Sequence, residues 1–249
     1  MNLYFELLKQ PVFTIEYVNQ YYGNVESARS AVKRLMSKGF VAKIRNNMYT
    51  CISGETNSPV ANRYQIGCAV TPTAYISHHT AMEYYGVSNQ IFYEVYVSSA
   101  TAFKNFEFDG YIFHHIPSKC DRGIETIKYS GGVRITDKER TVIDSIKDMD
   151  KIAGMEEVIS NIEGLSGLNE KKLIDYLKCY DNQFLYQKAG FLLKEYQRQL
   201  NISDGFYEIC KSKIGLSKRY LTKDCMEGKY DDDWRLVIPM HIYDLKNRG

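Results

Sequence analysis

The sequence predicts an α+β protein in which an N-terminal winged helix-turn-helix precedes a larger mixed domain with a helical C-terminal half. Three observations lead to this prediction. Helical periodicity in the first 40 residues gives way to a strand-like alternation. Segments rich in β-branched and aromatic residues then occupy much of 91–135. Helical periodicity returns from residue 136 onward, and strands followed by helices are typical of α+β folds.

Composition and length suit a globular protein with two domains. The chain has 249 residues, of which 44% are hydrophobic and 25% are charged, as in ordinary folded proteins. The small, polar stretch SGETNSPVAN predicts a boundary between residues 1–52 and 53–249. No window reaches the 18 or more apolar residues that a membrane span needs, and the N-terminus lacks a signal-peptide pattern. We therefore expect a cytoplasmic protein with no membrane partner.

Two helices are predicted before Gly23: a short one that ends near Pro11, and one from Ile15 to Tyr22 with Thr14 as its N-cap. A third helix is predicted between Gly23 and Gly39. Asn24 is a favourable N-cap directly after Gly23, and Gly39 occupies the position of a left-handed C-terminal cap. Between them, hydrophobic residues recur at helical spacing and predict one buried face. These residues are Val25, Ala28, Val32, Leu35 and Met36.

The opposite face of this helix carries short hydroxyls and long cations. Such side chains can bind phosphate oxygens and the edges of bases, and arginine can grip guanine with two parallel hydrogen bonds. This face predicts contact with double-stranded DNA. Its candidate contact residues are Ser27, Arg29, Ser30, Lys33 and Arg34. The alternative is that this face is only a solvated charged surface, because basic residues alone are weak evidence for DNA binding.

A β-hairpin is predicted directly after Gly39. Alternation places Phe40, Ala42 and Ile44 on one side of the first strand, with Val41, Lys43 and Arg45 on the other. Asn46 and Asn47 can adopt the positive φ angles of a tight turn, and residues 48–52 form the return strand. A basic hairpin after a basic helix is the order of a winged helix. Candidate DNA contacts in this wing are Lys43, Arg45, Asn46 and Asn47.

The charge of the chain is unevenly distributed. Residues 1–52 contain seven basic and three acidic residues, a net charge of +4, whereas the remaining 197 carry −2. Release of counterions makes such a positive segment attractive to DNA. The sequence therefore assigns any broad affinity for a polyanion to the N-terminal module.

Beyond residue 52, short strands are predicted first and helices afterwards. Residues 91–97 predict a strand, and Asp109-Gly110 predicts the turn of a hairpin. In the sequence TDKE, Thr136 and Glu139 have the spacing of a capping box at the start of a helix. Other predicted helices cover residues 77–86, 152–162, 170–180, 182–200 and 203–211.

No pattern of catalytic, metal-binding or cofactor-binding residues is found. The adjacent pairs His78-His79 and His114-His115 lack the spacing of metal ligands, so structural roles are expected for them. The sequence contains no phosphate-binding glycine loop and no esterase elbow. The six cysteines form no CxxC pair and are expected to be free, mostly buried thiols. We therefore expect a protein that is not an enzyme and that holds no cofactor or metal.

Three stretches of the larger domain resemble the AbiEi family of antitoxins from bacterial abortive-infection systems. They are YISHHTAMEYYGV, ITDKERTVIDSI and QKAGFLLKEY. Asp137, Glu139, Arg140, Thr141 and Asp144 match the family's second motif closely, whereas the third stretch departs from the usual basic-leucine-glycine run. Together with the N-terminal module, the resemblance covers nearly the whole chain.

The resemblance implies two activities. The winged helix would bind inverted repeats in the promoter of its own operon and repress it, acting as a monomer or a weak dimer. The larger domain would counteract a nucleotidyltransferase-like toxin, without necessarily forming a tight complex. Two alternatives remain open from the residues themselves. One is a metal-dependent nuclease domain delivered by the winged helix, and the other is a transcriptional regulator that responds to a ligand.

Overall fold

Helices and strands both contribute to the architecture, which is α+β as predicted. A computed structural model describes residues 3–88, 90, 92–152, 154–223, 225 and 227–242 of the chain. The α-helices in this part are α1 Leu3–Leu7, α2 Ile15–Tyr22, α3 Val25–Ser37, α4 Arg63–Ala69, α5 His78–Tyr84, α6 Lys138–Asp148, α7 Met155–Glu163, α8 Glu170–Tyr180, α9 Gln183–Lys194, α10 Gln197–Leu200 and α11 Asp204–Ser212. A short 3-10 helix, Met149–Lys151, follows α6.

The strands of the described residues form three sheets. These strands are β1 Val41–Arg45, β2 Met48–Cys51, β3 Tyr75–Ile76, β4 Glu94–Ser99, β5 Phe106–Phe108, β6 Tyr111–Pro117, β7 Ile124–Thr126, β8 Arg134–Thr136, β9 Arg219–Tyr220, β10 Gly228–Asp231 and β11 Leu236–Pro239. Strands β1 and β2 pair as a hairpin, and the order β10-β11-β9 makes a second sheet. The largest sheet has six strands in the order β5-β6-β4-β3-β8-β7.

The chain divides into two compact units. Unit 1 comprises Met1–Ile76, Phe92–Ser118 and Glu125–Ile135, and unit 2 comprises Ser77–Ile91, Lys119–Ile124 and Thr136–Gly249. Residues 1–52 thus share a unit with most of the large sheet, and their independence as a domain stays a prediction. Within the described ranges, no helix combines the length and the apolar character needed to cross a membrane.

The first three helices and the hairpin surround a small core in unit 1. Helix α2 begins after Thr14, whose hydroxyl accepts a hydrogen bond from the amide of Tyr17, as the N-cap prediction requires. Phe13 pairs with Tyr49 through both backbone groups, which forms an isolated β-bridge beside the hairpin. The buried side chains of this core are Leu7, Phe13, Ile15, Val18, Ala28, Val32, Val41 and Cys51.

The large sheet mixes parallel and antiparallel pairs. Strand β4 runs parallel to β6 and antiparallel to β3, and the β5–β6 hairpin turns at Asp109 and Gly110. Both turn residues have positive φ, 51° and 77°, which confirms the predicted turn. Helix α4 packs on β3 and β4, where Gly67 allows close approach because a Cβ there would meet the side chains of Ile76 and Val97.

Unit 2 has the larger hydrophobic core, to which α5 to α11 and β11 contribute. The ring of Trp234 lies directly against Gly190 on α9. A Cβ at residue 190 would overlap that ring. The side-chain amide of Gln187, one turn earlier on α9, donates to the backbone carbonyl of Trp234 at 3.0 Å. The glycine of the stretch QKAGFLLKEY is therefore required by packing.

The predicted capping box at Thr136 and Glu139 is wrong. Helix α6 is capped one residue later by Asp137, whose carboxylate accepts from the amide of Arg140 at 2.8 Å. Thr136 instead pairs its hydroxyl with that of Thr141 at 2.7 Å. Glu139 accepts a hydrogen bond from the amide of Asn169 at 2.8 Å. Glu139 thus bonds to Asn169, the N-cap of α8, and not to the N-cap of its own helix as the capping-box pattern assumes.

Arg140 is a buried cation at the centre of a polar network in unit 2. Only 1% of its surface is exposed. Its Nε donates to Asp144 at 2.7 Å, and its Nη atoms donate to the carbonyls of Arg122 and Cys120. The hydroxyl of Tyr180 accepts from the guanidinium at 2.8 Å and donates to Asp144 at 2.5 Å. This network satisfies a charge whose burial without partners would be costly.

Two further predictions are corrected in unit 2. The single helix expected over residues 182–200 is broken between α9 and α10, where Tyr196 forms a tight turn with Leu193 and donates its hydroxyl to Glu163 at 2.8 Å. Cys120 and Cys179 form a disulfide, with 6.2 Å between their Cα atoms, whereas free thiols were expected. These cysteines are 59 residues apart, a separation that local spacing rules do not cover. Cys51, Cys68 and Cys210 are free and buried, as predicted.

Replacement of Asp144 by Asn should strongly destabilise the protein. The substitution removes the carboxylate that neutralises Arg140, and breaking one side of a buried ion pair costs about 3–5 kcal/mol. Urea unfolding monitored by circular dichroism would measure the loss. Asp175→Asn is a matched control, because Asp175 is half-buried on α8 and its carboxylate bonds to no described residue. Equal stability of the two variants would contradict the role assigned to Arg140 and Asp144.

Candidate nucleic-acid interface

Helices α2 and α3 are joined by a turn of two residues. Gly23 has φ 64°, a left-handed conformation that favours glycine, and its amide donates to the carbonyl of Asn19. Asn24 then caps α3 by accepting from the amide of Ser27 at 3.0 Å. The local signals that the sequence carries at Gly23 and Asn24 therefore set the angle between the two helices.

The buried face of α3 is narrower than predicted. Ala28 and Val32 are buried as expected, and Ala31 joins them. Val25 and Met36 are 43% and 36% exposed, which corrects their assignment to the core. Because alanine side chains are small, α3 can lie close to the elements that pack against it. These elements then cover fewer positions of α3, and Val25 and Met36, at the two ends of the apolar face, stay exposed.

Four of the candidate contact residues lie together on the outer face of α3. The side chains of Ser27, Ser30, Lys33 and Arg34 line one shallow, open recess. All four are exposed. None of these side chains forms an ion pair or a hydrogen bond with another residue in the described part of the chain. Two cations and two hydroxyls are thus available to an external partner.

Arg29 lies beside this recess and is held by a surface ion pair. Its guanidinium is 2.6 Å from the carboxylate of Glu26, and the two side chains are 61% and 77% exposed. Exposed ion pairs are worth about 0–1 kcal/mol. A phosphate group could therefore displace Glu26 from Arg29 at little cost.

The hairpin is irregular where the sequence predicted simple alternation. Its register shifts between Lys43 and Arg45. Val41 and Ile44 are consequently both buried, whereas Phe40 is 43% exposed. The predicted grouping of Phe40 and Ala42 with Ile44 is therefore wrong, since a bulge moves the inward face by one residue. Lys43 remains exposed.

Arg45 does not extend into solvent from the wing. Its guanidinium carbon lies 5.0 Å from the ring centre of Phe106 and 5.8 Å from that of Phe103. One of its Nη atoms is buried. This geometry is that of a cation packed against aromatic rings within unit 1. Arg45 is therefore not available to an external partner in this conformation.

The two turn asparagines have different roles. Asn47 has φ 55°, as the turn prediction requires, whereas Asn46 does not adopt a positive angle. The side-chain oxygen of Asn47 accepts from the amide of Ile15 at 3.0 Å, and its nitrogen donates to Glu16 at 2.8 Å. This bond lowers the pKa of Glu16. Asn47 therefore joins the hairpin to α2, and Asn46 alone is free at the tip.

Three residues of the recess are not among the predicted contact residues. They are Glu26 on α3, Tyr22, the last residue of α2, and Ser37, the last of α3. Tyr22 is 39% exposed. Ser37 falls at helical spacing from Ser30 and Lys33, so periodicity could have found it. Tyr22 lies on a different helix, and its position depends on how α2 packs against α3.

Comparisons with known proteins show similarity of fold only. No protein-family model matches the chain, and neither does any curated protein. The crystal structure of the RV2827C protein from Mycobacterium tuberculosis is similar, with a TM-score of 0.65 and 12% sequence identity. The match covers 99% of this chain and 93% of that chain. At this identity the likeness concerns the arrangement of helices and strands, and it carries no statement about activity.

Asn47→Gly should destabilise the protein, whereas Asn46→Gly should not. Glycine keeps the positive φ of residue 47 but removes two hydrogen bonds, each worth about 0.5–1.5 kcal/mol. The matched change at Asn46 removes no bond to a described residue and should stay within about 0.5 kcal/mol of the wild type. Urea midpoints of the two variants provide the comparison. An unchanged midpoint for Asn47→Gly would show that its side chain does not support the fold.

Proposed function

We propose that residues 1–52 form a winged helix-turn-helix that binds double-stranded DNA, and that the protein represses the promoter of its own operon. The observation that carries this proposal is the recess on α3. There Lys33 and Arg34 are exposed and unpaired among the described residues, beside the free hydroxyls of Ser27 and Ser30. Unpaired cations on one helix face suit a polyanion, which binds by releasing counterions.

The element order supports a winged-helix interpretation. Three helices precede an antiparallel hairpin, and a two-residue turn joins α2 to α3. In proteins with this order, the helix after the turn enters the major groove. We propose that Ser27, Ser30, Lys33 and Arg34 contact bases and phosphates, with Arg29 on a flanking phosphate. Lys43 and Asn46 at the hairpin would contact the backbone beside the groove.

The second part of the proposal is that the chain acts as an antitoxin. It rests on the resemblance to the AbiEi family in residues 75–87, 135–146 and 187–196. The partner would be a nucleotidyltransferase-like toxin encoded in the same operon, and the protein would act in the cytoplasm as a monomer or weak dimer. The residues of the second motif serve the fold, since Asp137 caps α6 and Arg140 pairs with Asp144.

Two alternatives would be favoured by different features of the chain. A metal-dependent nuclease needs several converging acids. Across the described ranges, no group of three His, Cys, Asp or Glu side chains is placed to hold a metal ion. A regulator that responds to a ligand needs a pocket with a few convergent polar groups, and unit 2 contains one beside the start of α9.

The double substitution Lys33→Ala with Arg34→Ala should weaken binding to the operon's own promoter. The loss should be about 1–3 kcal/mol for each base contact, and the dependence of affinity on salt should become shallower by about one for each lost phosphate contact. Fluorescence anisotropy at several salt concentrations measures both quantities. Lys128→Ala is the control, because Lys128 is an exposed lysine of unit 1 outside α3 and the hairpin. Wild-type affinity of the double variant would overturn the assigned interface.

Repression and neutralisation of the toxin should be separable by mutation. Expressed from an unrelated promoter, the Lys33→Ala, Arg34→Ala variant should still restore growth to cells that produce the cognate toxin, because its larger domain is unchanged. The same variant should fail to repress a reporter driven by the operon promoter. Failure of the wild-type protein to restore growth would exclude the antitoxin role and leave the DNA-binding proposal standing.

A further inference from the structure

The N-terminal turns of α9 line a pocket within unit 2. The pocket has a volume of about 200 Å³. Asn182, Phe184, Leu185 and Lys188 contribute from α9 and its cap. Asn182 caps the helix by accepting from the amides of Phe184 and Leu185. The positive end of the helix dipole therefore faces a cavity that the same helix helps to form.

Lys188 is a buried lysine with no direct ion pair among the described residues. It is 3% exposed, and its ammonium forms no hydrogen bond or ion pair with any residue in the described ranges. The ring centre of Phe184 lies 4.6 Å from its Nζ. Burial lowers the pKa of Lys188, and the negative charges of Asp150 and Asp148 oppose this shift only in part. A desolvated, unpaired cation is costly to a fold, so its presence in a pocket points to a ligand that completes it.

The nearby carboxylate of Asp148 is already occupied. It accepts from Lys151 at 2.8 Å, pairs with Lys147, and lies 3.4 Å from Nε2 of His78. Burial would raise the pKa of Asp148, but these three partners outweigh it and hold that pKa well below its usual range. His78 is fixed in a left-handed conformation, with φ 55°. Asp148 is thus bonded to other cations, and its charge acts on Lys188 without a direct ion pair.

The balance of charge in the pocket is positive. Lys147, Lys151, Lys188 and Lys223 line it, against Asp148 and Asp150. Lys223 is exposed and forms no ion pair with a described residue. A second recess shares Phe184, Asp150 and Lys223 with this pocket and adds further cations and an aromatic ring. The added residues are Lys218, Arg219 and Tyr220.

We propose that this pocket binds a small molecule that carries a phosphate group. The phosphate oxygens would accept hydrogen bonds from Lys188 and Lys223 at the positive end of α9. The volume is below the roughly 300–1,000 Å³ of sites for drug-sized ligands, which favours a compact anion over a large organic molecule. Any organic part of the ligand lies in the adjoining recess, between Phe184 and Tyr220. This site lies wholly in unit 2 and does not depend on DNA binding.

Isothermal titration calorimetry of the full chain with inorganic pyrophosphate and with AMP tests the proposal. At least one of the two should bind the wild-type protein. Lys188→Met keeps the apolar stem but removes the ammonium, and it should weaken binding at least ten-fold. Lys171→Met, which changes an exposed lysine on α8 outside the pocket, should bind as the wild type does. Tighter binding of AMP indicates an organic phosphate, and tighter binding of pyrophosphate indicates an inorganic one.

Thermal unfolding provides a second measurement that separates a ligand role from a structural one. Without phosphate compounds, Lys188→Met should melt at or above the wild-type temperature, because it removes an unpaired buried charge. The phosphate compound that binds should raise the Tm of the wild type and leave that of Lys188→Met unchanged. Lys223→Met, at an exposed position, should also weaken binding without lowering Tm. Absence of binding to the wild type, or equal binding to Lys188→Met, would overturn the proposal.

Discussion

The enclosed guanidinium of Arg140 is the constraint on which unit 2 depends. It draws together the loop around Cys120 and Arg122, helix α6 through Asp144, and helix α8 through Tyr180. The disulfide between Cys120 and Cys179 joins the same loop and the same helix. A charge in a low-dielectric interior requires its partners at fixed positions. The positions of this loop and of the two helices are therefore tied to one arginine as well as to the surrounding apolar contacts.

The two units use cations in opposite ways. In unit 2, Arg140 is surrounded by acceptors, and the carboxylates of Asp137 and Asp144 are engaged by donors from α8. In unit 1, Lys33 and Arg34 remain in solvent with no acceptor among the described residues. Lys188 combines features of both, since it is buried like Arg140 but unpaired like Lys33. A cation with no direct ion pair among the described residues is the common basis of both binding proposals.

Local signals were sufficient for much of the fold and for part of the interface. Thr14, Asn24 and Asp109-Gly110 act through neighbours within a few residues, so the sequence alone located their elements. The exposed face of α3 followed from helical spacing. Arg45 and Asn47 could not be assigned in this way, because their partners are Phe106 and Ile15, distant in sequence. Residues distant in sequence also determine the disulfide, the bond between Glu139 and Asn169 and the burial of Lys188, which local spacing does not predict.

The path of the chain through its two units has a consequence for dissecting the molecule. The backbone passes from one unit to the other after residues 76, 91, 118, 124 and 135. Neither unit is therefore a continuous stretch of polypeptide, and a deletion that begins after residue 135 would leave two segments of unit 2 without their native surroundings. Point substitutions, in place of truncated fragments, are the means by which the roles of the two units can be told apart.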